Sequence, residues 1–178
     1  VEWALYDGYS YIFDRQMGLH TGDPTTFKTY EEFEAAVKKQ MAYLVGCACR
    51  CSQLAERAQQ LRLPKPFRDC CVAGPMESGK DIMYKGSSKY FAGPGLLVTG
   101  VADYADSMAA VKKLVYDDKK ITMAELIDAL KKDFEGYDEL RYMLIHDAPK
   151  YGNDDPYVDD IAKDCVKYSG DVADSYTS

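Results

Sequence analysis

The sequence predicts an α/β fold that is predominantly helical, and three observations carry that expectation. Apolar residues recur at helical three-and-four spacing through most of the 178 residues. Two Thr-x-x-Glu patterns, Thr29 with Glu32 and Thr122 with Glu125, have the form of capping boxes that open helices. Only the run Leu96, Leu97, Val98, bounded by Gly93-Pro94-Gly95 and by Gly100, is too brief for a helix and suits a buried strand.

Taken in order, Val1 to Asp7 reads as a short helix that stops at Gly8, and residues 9–28 are aromatic and rich in turn formers, with Gly18, Gly22 and Asp23-Pro24 marking loops. Thr29 then caps a long helix whose apolar stripe is Phe33, Val37, Met41, Leu44, Val45, Ala48, Cys51, Ala55, Ala58 and Leu61. A stripe of that length is expected to pack on neighbours over several turns. Pro64-Lys65-Pro66 ends this helix and starts another, Pro66 fitting a first helical turn, and Gly74-Pro75 interrupts the segment 67–80. After the strand, Ala105, Met108, Ala109, Val111, Leu114 and Val115 form a helical face from Asp103 onward. Lys112, Lys113, Lys119 and Lys120 sit at its far end, where cations complement the helix dipole. Thr122 opens a helix through Leu126, Ile127, Leu130 and Phe134 that ends at Gly136, and a further helix holds Leu140, Met143 and Leu144 and stops before Pro149. Asp155 caps the last helix with Pro156 in its first position, placing Val158, Ile161, Cys165, Tyr168 and Val172 toward the core.

Composition narrows the class of protein. At 47% hydrophobic and 29% charged the chain is neither disordered nor a helical membrane protein, since no apolar run approaches the roughly 20 residues a spanning helix needs. With 29 acidic against 22 basic side chains the net charge is -7, which argues against nucleic acid as partner. The chain begins at Val1 inside a helical pattern, without a methionine or a signal peptide, and looks cut from something longer. Six cysteines without a disulfide framework or a C-x-x-C pair fit a reducing cytoplasm best.

Several residue groups invite chemistry. The glycines at 93, 95 and 100 fit neither G-x-G-x-x-G nor the P-loop pattern, so the bland reading of a core strand and its covering helix stands against a phosphate cradle. Of Cys47, Cys49 and Cys51, only Cys47 and Cys51 share a helical face, and with no histidine nearby packing is favoured over metal. Cys70 and Cys71 either include a reactive thiol or are one buried and one partly exposed residue. Asp154, Asp155, Asp159 and Asp160 lack the ligand alternation and central glycine of a calcium loop, and read instead as the acidic start of a helix. His20 and His146, the two histidines, are either a catalytic or metal pair, or a loop and a helix-end residue of structural or solvent-facing kind. No metal site is assigned.

Four blocks, in order, carry a resemblance. They are Arg15-Gln16 with Met17 to Pro24, ending Thr-Gly-Asp-Pro; Glu77 to Ile82 followed by Gly86 to Tyr90; Gly100 to Val115; and, most specific, Ala148 to Ala162. Together they resemble the glycyl radical enzymes, the relatives of pyruvate formate-lyase, and lie nearer the decarboxylase and dehydratase branch of arylacetate decarboxylases, diol and hydroxyproline dehydratases and choline lyase. In the second block, serines and Lys89 stand where relatives carry gly-gly-ala-arg-tyr.

The resemblance implies that residues 1–178 are an internal segment of a ten-stranded α/β barrel, pyruvate formate-lyase-like, contributing helices and a few strands. The full-length protein would be an anaerobic lyase, a homodimer, acting by radical decarboxylation or by dehydration or elimination on a small organic substrate. Its radical would reside on a backbone glycine, installed by a radical-SAM activase, and would reach the substrate through a cysteine thiyl. Neither the gly-cys-x-glu loop nor the arg-val-x-gly motif occurs here, so no residue of this chain is assigned as catalytic, and the segment alone is expected to be inactive. If the turn at 90–95 lies near the barrel interior, Tyr90, Phe91 and Gly93 are the candidates for walling the substrate cavity. The competing reading is a non-catalytic helical scaffold or interaction module derived from the same family.

Overall fold

The computed structural model describes residues 1–89 and 95–176. In chain order the elements are α1 (Glu2–Leu5), an antiparallel pair β1 (Tyr9–Ser10) and β2 (Arg15–Gln16), a 3₁₀ turn (Pro24–Thr26), α2 (Tyr30–Arg62), α3 (Pro66–Asp69), α4 (Pro75–Ser78), a 3₁₀ turn (Ile82–Tyr84), α5 (Val101–Val111), a π-helical segment (Lys112–Asp117), α6 (Met123–Lys131), α7 (Asp138–His146) and α8 (Pro156–Asp174). They form two compact units, one of Val1–Val45 with Val98–Ser175, the other built on Gly46–Leu97.

The first unit holds the core. α5 and α8 pack on each other. Ala105 and Ala109 on α5 and Ala162 on α8 are buried, and residues without bulk are what let two helix backbones come close. Around them lie Met108 and Leu114, with Val158 and Ile161 of α8, Phe33 and Val37 of α2, and Leu126 and Ala129 of α6. Both capping boxes form. Glu125 N–H donates to Thr122 Oγ1 at 3.2 Å and Thr122 N–H to Glu125 Oε2 at 2.7 Å. At α2 the corresponding distances are 3.3 and 3.4 Å. Asp155 caps α8 by accepting from Tyr157 N–H at 2.9 Å, with Pro156 at the first position as expected.

Four expectations need correction. Leu96, Leu97 and Val98 are not a strand: they are exposed, Leu97 at 87%, in irregular chain. A strand needs a neighbouring edge to bond its backbone, and among the described residues the only paired strands are the two-residue β1 and β2. The helix after Gly100 starts at Val101 and passes into the π segment, where Asp118 N–H donates back five residues to Lys113 C=O at 2.7 Å. Lys119, at φ 52°, and Lys120 therefore lie beyond the helix rather than in its last turn. α6 ends at Lys131, short of Gly136, because Asp133 and Phe134 take positive φ. The apolar stripe of α2 is buried only at its start: Phe33 and Val37 are in the core, while Leu44, Ala48, Cys51, Leu54, Ala55, Ala58 and Leu61 are exposed.

Candidate functional site

Tyr90, Phe91 and Gly93 lie outside the described residues. Residues 65–89, which precede them in sequence, belong to the second unit. Asp81 caps the 3₁₀ turn Ile82–Tyr84 by accepting from Met83 N–H at 2.8 Å, and its other oxygen accepts from Lys65 N–H at 2.6 Å. The Lys65 amide, helped by the Met83 amide, holds the Asp81 carboxyl below the ordinary carboxylate range against an opposing desolvation. Asp69 accepts from Ile82 N–H at 2.9 Å, and Gln60 of α2 donates to Met83 C=O at 2.7 Å. Gly74, at φ 109°, is fixed by crowding as well as by conformation: a Cβ there would stand 2.3 Å from Ser88 N and 2.5 Å from Gly86 O. Ser88 N–H closes this knot on Ala73 C=O at 3.0 Å. The sequence blocks thus contribute Asp81, Ile82, Gly86 and Ser88 to a backbone knot completed by Gln60, Lys65, Asp69, Ala73, Gly74 and Met83.

The Thr-Gly-Asp-Pro loop of the first unit is held by two polar residues. Asp7, itself at φ 50°, accepts from Thr21 N–H at 2.5 Å and Gly22 N–H at 2.8 Å, and pairs with His20 Nδ1 at 2.9 Å. The His20 hydrogen bond, then the two amides, lower the Asp7 pKa. Gln40 is buried and mimics a strand edge, taking Leu19 N–H at 3.0 Å and giving to Leu19 C=O at 2.6 Å. Neither Asp7 nor Gln40 is among the residues that the sequence marked. The available signal was a polar residue at the centre of an apolar stripe, since Gln40 lies on the same face of α2 as Phe33, Val37 and Leu44.

A cavity of 740 Å³ opens in the first unit, lined by Leu5, Tyr6, Ala110, Val111, Leu126 and Leu130 with Glu2, Asp106, Lys131 and Lys150 among its polar groups. The histidines serve different elements: exposed His20 on the loop with Asp7, and His146 at the end of α7 against the ring of Tyr142 at 4.4 Å. Cys49 is buried, Cys47 half-buried and Cys51 exposed, and Cys70 and Cys71 are both exposed, so the expectation of one buried member fails for the last pair. Four residues of a terminal helical turn, Pro66–Asp69, bury no side chain of their own and leave the cysteines that follow at the surface. Cys165 is buried, which pushes its thiol pKa up. Among the described residues no three His, Cys, Asp or Glu side chains converge as a metal site would require. No described helix is long and apolar enough to cross a membrane.

Residues 1–178 match the family model described as pyruvate formate lyase-like. The chain belongs to that family, and its relatives are glycyl radical dehydratases and lyases. It is 35% identical over 167 residues to the trans-4-hydroxy-L-proline dehydratase of Clostridioides difficile, covering 92% of this chain and 20% of the relative. It is 35% identical over 178 residues to the isethionate sulfite-lyase of Nitratidesulfovibrio vulgaris, covering 94% and 21%. Among solved structures, the glycerol-bound form of the B12-independent glycerol dehydratase from Clostridium butyricum superposes with a TM-score of 0.89 at 33% identity, over 99% of this chain and 22% of that one. The chain spans about a fifth of the length of these relatives.

Proposed function

We propose that residues 1–178 are an internal segment of a glycyl radical lyase with a ten-stranded α/β barrel, acting in an anaerobic cytoplasm by dehydration, decarboxylation or another elimination on a small organic substrate. The observation that carries this reading is the match to one family model along the whole chain. A glycyl radical, installed by a radical-SAM activase, would supply hydrogen-atom abstraction through a cysteine, and both the glycine and the cysteine would come from outside these residues. The part played by this chain is positional. The knot around Asp81 and Gly74 fixes where the chain enters 90–94, and Tyr90, Phe91 and Gly93 wall the substrate cavity.

The test starts with the intact mass and both termini of the native protein. A chain several times longer than 178 residues, carrying the cysteine and glycyl loops, is expected, and after anaerobic activation it shows an organic radical by EPR. A native chain without those loops sinks the reading and leaves a scaffold. In the activated enzyme, Phe91→Ala is expected to shift kcat/KM between competing substrates by roughly 10-fold, the scale of one reshaped apolar contact. Unchanged preference in both Tyr90→Ala and Phe91→Ala removes these residues from the cavity wall.

A further inference from the structure

The 740 Å³ cavity of the first unit is lined by charges of both signs. Asp106 and Lys150 are half-buried in its wall, Glu2 and Lys131 are exposed, and among the described residues none of the four belongs to an ion pair. The two half-buried groups come from neighbouring stretches of backbone. Asp106 of α5 accepts from Tyr151 N–H at 2.7 Å, the amide that directly follows Lys150. Neither is saturated. A carboxylate that takes one amide keeps acceptor capacity, and the Lys150 ammonium, which donates to Leu144 C=O at 2.9 Å, has two further N–H donors. Apolar wall begins one turn away: Ala110 lies four residues past Asp106 on the same face of α5, and Leu126 and Leu130 of α6 line the cavity with it.

We infer that this cavity binds a zwitterionic α-amino acid with a large apolar side chain. Lys150 takes the carboxylate, Asp106 the ammonium, and Ala110, Leu126 and Leu130 the side chain. The charge pattern chooses this class. A ligand with one charge leaves the opposite sign in the wall unmatched, whereas an ammonium and a carboxylate on a single carbon answer an acid and a base held by adjoining backbone. The volume falls within the roughly 300–1,000 Å³ of small-molecule sites. The site includes none of the residues proposed to wall the substrate cavity, and its occupancy does not depend on radical chemistry.

The probes are L-phenylalanine, hydrocinnamate, which lacks the ammonium, and phenethylamine, which lacks the carboxylate, titrated calorimetrically into the native full-length protein under anaerobic conditions. Saturable binding of phenylalanine is expected, with each analogue at least ~10-fold weaker, the scale of one charge-assisted hydrogen bond. Lys150→Met is expected to weaken phenylalanine and hydrocinnamate about 10-fold and to leave phenethylamine unchanged, and Asp106→Asn to do the converse, weakening phenylalanine and phenethylamine alone. A merely structural role for either residue moves all three probes together and overturns the assignment. No saturable binding overturns the inference by giving the cavity to other parts of the full-length chain. Phenylalanine bound no better than either analogue overturns the ligand class.

Discussion

Phe33 of α2 is fully buried in the first unit, with its ring 6.5 Å from that of Tyr116 in the π segment. Removing it leaves a cavity that close-packed neighbours fill only in part, so Phe33→Ala is expected to cost about 3–5 kcal/mol, measured by urea denaturation of the full-length protein. Tyr30 behaves differently. It is 7% exposed, its hydroxyl finds no protein partner among the described residues, and burial raises its pKa, so the group stays protonated throughout the accessible range. Tyr116 is pushed up to about 12 by the same desolvation. A buried hydroxyl without a partner contributes desolvation cost and little else, and Tyr30→Phe is expected to be neutral or stabilising by up to about 1 kcal/mol. A loss above about 1 kcal/mol in the melting analysis would reveal a hydrogen bond to this oxygen. Lys112 adds a compensating contact, its ammonium 5.2 Å from the Tyr30 ring centre and 4.8 Å from that of Tyr157.

At the scale of elements, the capping box of α6 isolates one local term. Thr122→Ala removes the hydroxyl that accepts Glu125 N–H and is expected to cost about 0.5–2 kcal/mol, seen as faster hydrogen exchange confined to the first turn of Met123–Lys131. The loop at 17–24 has a pH dependence of defined sign. The folded Asp7 carboxyl titrates below its ordinary value of 3.8, so its contribution is present above that value and is lost as pH falls through the folded pKa. Exchange of the Thr21 and Gly22 amides is expected to lose protection below about pH 4, and Asp7→Asn removes that dependence. A pH-independent protection in the parent protein contradicts the assignment of Asp7 as the anchor. The blocks that look most like motifs are, on this scale, structural. Gly100 to Val115 supplies α5, its left-handed Gly100 start and its buried alanines, while the block at 77–82 supplies the end of α4 and the Asp81 cap of the 3₁₀ turn Ile82–Tyr84.

For the whole molecule, Leu54, Leu61, Leu63, Phe67 and Leu97 of the second unit are exposed large apolar side chains. Expressed alone, the 178 residues are expected to show no turnover and to self-associate, read by sedimentation as mass rising with concentration. A monodisperse monomer at high concentration argues that these surfaces do not drive association. The curated relatives extend well beyond the matched stretch, which makes up about a fifth of their length.

Helix caps and the family were decided by the sequence, because each depends on residues close together. Thr29 and Thr122 cap within three residues, Asp155-Pro156 fixes its own helix, and the four ordered blocks identify relatives without any contact being known. Tertiary structure decided whatever depends on a distant partner. The apolar run at 96–98 reads as a strand from composition alone, but pairing needs an edge, and among the described residues only β1 and β2 pair. Periodicity locates the stripe of α2 yet cannot say what it faces, and the structure buries Phe33 while leaving Leu54 and Leu61 outside. Gln40 and Asp7 emerge as anchors only when chain segments far apart in sequence are brought within 3 Å of their oxygens. A single side chain carries its local preference in its own identity, whereas the burial that gives it energy belongs to the neighbours that folding brings.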